Sequence, residues 1–158
     1  MIKIKNTKDI LPTYRITDKT YALIPTRSVQ HQTKVIEKDK IYYVNQSPIE
    51  IIKLNCLLNG SDYRGRRQAI TYHLNFRRKS PIAINKTLHA FPTHSIKDFD
   101  CIWIISKQIA YIKTKSNKSK IIFKNNRKLK LPISTHILQQ QILRCFAVSN
   151  LYKQIQSE

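Results

Sequence analysis

The sequence predicts an α+β fold: a single small domain with short antiparallel strands, one or two central helices and a long C-terminal helix. Three observations predict it. The first third of the chain carries brief β-branched and aromatic runs broken by polar turns, which is strand and hairpin patterning. Ser47-Pro48-Ile49-Glu50 spells a helix start: serine to cap, proline at the first helical position, glutamate three residues on. From Ser134 onward neither Gly nor Pro interrupts an apolar stripe at three- and four-residue spacing. The chain has 158 residues, which suffices for one core without a disulfide or metal staple.

Residues 1–19 mix Lys, Thr and Asp with few apolar positions and read as a mobile N-terminal arm, which leaves 20–158 as the domain. Strands are expected at Tyr21 to Pro25, Lys34 to Glu37 and Ile41 to Asn45, the last two joined by a hairpin at Lys38-Asp39-Lys40. The capped helix runs from Pro48 to about Leu58 and closes at Asn59-Gly60. After it, Ser61 can cap a second helix that buries Ile70 and Leu74; alternatively Gly60 to Arg67 is a loop and Ala69 to Phe76 a strand. Further strands are expected at Pro81 to Asn85, Leu88 to Phe91, Cys101 to Ser106 and Gln108 to Lys113. Lys120 to Lys124 and Arg127 to Leu131 alternate apolar and basic residues about Asn125-Asn126, a hairpin whose outer face is lysine. The helix from Ser134 to about Gln156 places Leu138 and Ile142 in the core and leaves Leu151 and Ile155 for a subunit contact.

Charge narrows the function. The chain has 29 Lys+Arg against 9 Asp+Glu, a net +20, and no acid lies between Asp62 and Asp98 or between Asp100 and Glu158. A field of that size calls for a polyanion. No apolar run approaches the ~20 residues of a membrane span, and Met1 to Lys5 lack the apolar core of a signal peptide, so the expected place is the cytoplasm and the expected partner nucleic acid. Both glycines of the chain fall in Gly60-Ser61-Asp62-Tyr63-Arg64-Gly65-Arg66-Arg67. Gly60 fits a helix cap; Gly65, among arginines, would let a polyanion's backbone come close. Arg64, Gly65, Arg66 and Arg67, the triplet Arg77-Arg78-Lys79, and Lys120 and Lys124 of the hairpin are the candidate DNA-binding residues.

Bond-breaking chemistry finds little to work with. Asp98 and Asp100 could hold a nuclease metal, yet a solvated turn explains them as well. Cys56, Cys101 and Cys145 sit in apolar settings without ligand spacing, and His89 and His94, which flank Phe91-Pro92-Thr93, read as loop histidines. No enzyme activity, cofactor or metal is expected. A ribosomal or other structural RNA-binding protein is the alternative that charge alone equally allows.

Read in order, Ile36-Glu37-Lys38-Asp39, Tyr42-Tyr43-Val44-Asn45, the Gly60 to Arg67 element, Pro81-Ile82, Phe91-Pro92-Thr93, Cys101-Ile102-Trp103-Ile104 and Leu131-Pro132-Ile133-Ser134 resemble the ComK competence transcription factors. The resemblance covers about Thr20 to Leu151. It implies a cytoplasmic activator of DNA-uptake and recombination genes that binds the minor groove at paired AT-rich boxes in double-stranded DNA. It also implies assembly as a homodimer or tetramer, with RNA polymerase as a further partner. Longer family members continue past the position of Glu158 with a segment similar to an adaptor-recognition tail, so adaptor-protease control is not expected to carry over unchanged. A narrow A-tract groove concentrates negative potential and draws in arginine, a role that suits Arg64, Arg66 and Arg67.

Overall fold

A computed structural model describes residues 10–157. Two sheets and three helices build it. The larger sheet has seven strands in the order β1-β4-β3-β2-β7-β6-β5, with β1 at Ile10–Leu11, β2 at Thr20–Pro25, β3 at Thr33–Glu37, β4 at Ile41–Val44, β5 at Ile82–Ala83, β6 at His89–Pro92 and β7 at Trp103–Ile105. Every pairing is antiparallel except β1 with β4. The second sheet has three antiparallel strands, β8 at Ile109–Lys115, β9 at Lys118–Phe123 and β10 at Lys128–Leu131, in the order β10-β9-β8. Helices α1 (Pro48–Leu58) and α2 (Tyr63–Leu74) connect β4 to β5, and α3 (Thr135–Ser157) ends the chain.

Strand alternation divides the core in two. One face of the large sheet turns Leu23, Val35, Trp103 and Ile105 toward Ile51, Ile52 and Cys56 of α1 and Ile70 of α2. The other turns Ala22, Phe91 and Ile104 toward Ile121 and Phe123 of the small sheet. Helix α3 serves both, with Leu138 and Cys145 in the second cluster and Val148 in the first. All three cysteines are buried and free, and burial pushes the Cys101 thiol up to about 11 and the Cys145 thiol up to about 12. Among the described residues no helix is long and apolar enough to cross a membrane.

Two expectations need correction. The described part of the expected mobile arm, 10–19, is packed: β1 joins the sheet, Tyr14 and Ile16 are buried, and Asn55 in α1 accepts from the Ile16 N–H at 2.8 Å while donating to the Tyr14 carbonyl at 2.9 Å. Alternate residues turned inward at Tyr14 and Ile16 are too few to stand out as a strand in the sequence; residues 1–9 of that expectation lie outside the described residues. In α3, Leu151 is buried and belongs to the fold, whereas Leu143, Phe146 and Ile155 are the exposed apolar side chains.

Candidate nucleic-acid interface

The glycine-arginine element resolves into a helix cap and a helix start. Gly60 has φ +100°, and the N–H groups of Gly60 and Ser61 donate to the carbonyls of Leu57 and Cys56, which closes α1 in a Schellman motif. Asp62, not Ser61, caps α2: its side chain accepts from the Gly65 N–H at 2.8 Å. An added Cβ at Gly65 would stand 2.8 Å from that same carboxylate oxygen, so the cap gives this glycine a local reason for its small size.

Arg66 is a structural residue and not an open cation. It is 8% exposed and all five of its N–H donors are used: Nε to Ser61 Oγ at 2.8 Å, Nη1 to the carbonyls of Ile84 at 2.9 Å and Ala83, Nη2 to those of Cys56 at 3.1 Å and Asn59 at 3.2 Å. It ties the end of α1 to the strand β5. The reader role expected for it is overturned by this burial.

Its neighbours are less buried. Arg64 is exposed. Arg67 is half-buried, donates to Tyr63 Oη at 3.2 Å and to the Arg77 carbonyl at 3.1 Å, and shares a cleft of about 590 Å³ with Arg77, Arg78, Lys79 and Lys97. The fold thus gathers four of the candidate residues. Holding them falls to α3: Arg144 donates to the carbonyls of Arg78 at 2.7 Å and Lys79 at 3.1 Å, Gln141 donates to the latter at 2.9 Å, and the Arg144 guanidinium lies 4.4 Å from the Phe76 ring centroid. Burial, and then the charge of Arg67, lower the Arg144 pKa. Lys79 at φ +49° completes a loop whose backbone is pinned while its cations face outward. Nothing in the local sequence marks Arg144 for this part, because the loop it holds lies more than sixty residues away.

The small sheet carries the second cationic surface. Register sets Lys113, Lys120 and Lys130 side by side across the three strands, with Lys115 opposite Lys118 in the next row and Tyr111, Ile122 and Lys128 in the row before. The opposite face, Ile112, Ile121, Phe123, Leu129 and Leu131, packs inward. Like charges directly opposite on adjacent strands repel. Lys115 registers this: proximity to Lys130, then the charges of Lys130 and Lys120, lower its pKa. Lys120 is therefore placed as expected, while Lys124 lies beyond the end of β9 at the rim of a different cleft. Lys113, Lys115, Lys118, Lys128 and Lys130 were not among the candidates, although the period-two alternation of apolar and basic residues through Tyr111 to Lys115 is legible once β8 is known to flank the hairpin.

The two carboxylates of the nuclease reading sit in an exposed turn. Asp98 accepts the Asp100 N–H at 2.8 Å in a turn, and Asp100 pairs with Arg27 at 3.5 Å. His89 is buried in β6 and His94 bonds Thr93 at 2.7 Å, so they do not form a ligand pair. Among the described residues no group of three or more His, Cys, Asp or Glu is placed to hold a metal ion.

Fold and surface together define a basic α+β domain whose lysine face and arginine cleft are suited to a polyanion. A family model described as ComK protein matches residues 11–156, and the chain belongs to that family. It is 30% identical over 138 residues to the competence transcription factor of Bacillus subtilis (strain 168), across 85% of this chain and 72% of that relative. No solved structure matches.

Proposed function

We propose that the protein is a DNA-binding transcription activator of competence genes that prefers paired AT-rich boxes in duplex DNA. Family membership supports the class and gives no support to the ribosomal alternative. The observation that carries the DNA reading is the row of three lysines across β8, β9 and β10, a repulsive arrangement that a polyanion relieves.

Width assigns roles. Three strands span about 10 Å, more than a minor groove about 6 Å wide admits. The lysine face therefore lies on phosphates and positions the protein. Groove entry falls to single exposed arginines, and Arg64, Arg77 and Arg78 have the exposure for it. Homodimers or tetramers on paired boxes follow from the symmetry of such sites.

Mobility shifts with paired A/T-box duplex, scrambled duplex and structured RNA at one salt concentration test the reading. The A/T-box duplex is expected to bind tightest, and Arg78→Ala to lose about 1–3 kcal/mol on that duplex and less on the scrambled one. Equal affinity for all three nucleic acids would remove the sequence-selective activator.

A further inference from the structure

Strand β8 ends the small sheet: among the described residues it pairs with β9 on one side and with no strand on the other. An unpaired edge keeps a row of backbone N–H and C=O groups open for another chain. Beside this edge α3 runs in the opposite sense, with Thr135 bonded to Thr114 at 2.8 Å at one end. The two elements enclose a cleft of about 520 Å³ lined by Ile109, Tyr111 and Ile112 from β8 and by Ile142 and Phe146 from α3. Phe146 is 63% exposed, a large apolar side chain with no covering partner. Buried His89 also lines the cleft, and its Nε2 has no hydrogen-bond partner.

We propose that this cleft binds an extended acidic segment of a partner protein, which adds to β8 as a fourth strand and sets apolar side chains against Ile142 and Phe146. A sheet edge beside a helix is suited to strand addition: main-chain hydrogen bonds hold the peptide, and alternate side chains fall into the groove. Charge selects the occupant. Lys107 and Lys124 line the cleft, Lys113 and Lys115 continue the same strand, and no acid occurs from Cys101 to Ser157. A second copy of this chain would bring its own β8 lysines and extend one lysine face into another, at a repulsive cost. DNA would set phosphates against Ile142 and Phe146, while the lysine rows of the outer face offer them cations.

The probe is a fluorescein-labelled seven-residue peptide alternating Val with Glu or Asp, titrated into the full chain and followed by anisotropy. Two further peptides accompany it, one N-methylated at alternate residues and one with Lys for each acid. Saturable binding of the acidic peptide is expected, weakened about tenfold or more by N-methylation, by the Lys exchange and by Phe146→Glu. Lys128→Ala, on the strand farthest from this edge, should lower DNA affinity and leave peptide affinity within about twofold, which separates this site from the DNA surface. Equal binding of the N-methylated peptide, or indifference to Phe146→Glu in a variant of unchanged circular dichroism, overturns the proposal. So does the absence of binding, or a dimer that Phe146→Glu dissociates in a chain that ignores the peptide.

Discussion

Arg66 holds its charge against the carbonyls of Cys56 and Asn59, at the negative end of the α1 dipole. Arg66→Ala would take this donor from those carbonyls and from the ones that end β5, with only that of Cys56 keeping the Ser61 N–H described above, and is expected to destabilise the fold by about 3 kcal/mol. Urea unfolding measures it; an unchanged midpoint with lost A/T preference would return Arg66 to the DNA surface. The sequence shows that arginines cluster about Gly65, but not which one turns inward, because on a helix adjacent residues point about 100° apart and the inward side is set by β5. His89 raises a second residue-scale expectation. Burial, and then the charge of Lys153, lower its pKa from 6.5 to about 4. Between those values only the unfolded chain takes up the proton, so the contribution is complete above pH 6.5 and is lost as the pH falls toward 4. Thermal melts across that window should show a slope that His89→Leu flattens; equal slopes would contradict the buried neutral ring.

Helix α1 was legible to the residue because its signals are local: Ser47 accepts the Glu50 N–H, Pro48 opens the first turn, and Gly60 supplies the positive φ that ends it. The hairpin of β9 and β10 was legible for the same reason, with Asn126 at φ 67° in its turn. Helix α2 is open between helix and strand in the sequence, since Gly65 weakens the helical reading; the cap at Asp62 nevertheless decides for the helix. In α3 the extent was readable and the buried side was not. Apolar residues occur almost all round this helix, and the sheets on its flanks select Leu138, Cys145, Val148 and Leu151 while leaving Leu143 and Phe146 outside. Truncation after Asn150 removes buried Leu151 and the half-buried Tyr152 that packs on the first cluster, and is therefore expected to lower the melting temperature markedly, as read by circular dichroism. A truncated chain as stable as the whole one would restore the distal helix to a subunit contact.

At the scale of the molecule the net charge of +20 resolves into separate surfaces with separate work. The sequence showed the total and its skew toward the second half. It could not show that three strands align Lys113, Lys120 and Lys130 in one row, because register depends on long-range pairing. Nor could it show that Arg144 anchors a basic loop made from a distant part of the chain. The central claim is that the row positions the protein on phosphates while exposed arginines read the groove. The most direct test is the salt dependence of binding to A/T-box and scrambled duplexes, for the parent chain and for Lys120→Ala with Lys130→Ala. The account predicts equal losses of affinity on both duplexes and a log-log salt slope shallower by about 0.9 for each phosphate contact removed, roughly 1.8 for the pair. An unchanged slope, or a loss confined to the A/T-box duplex, would contradict it.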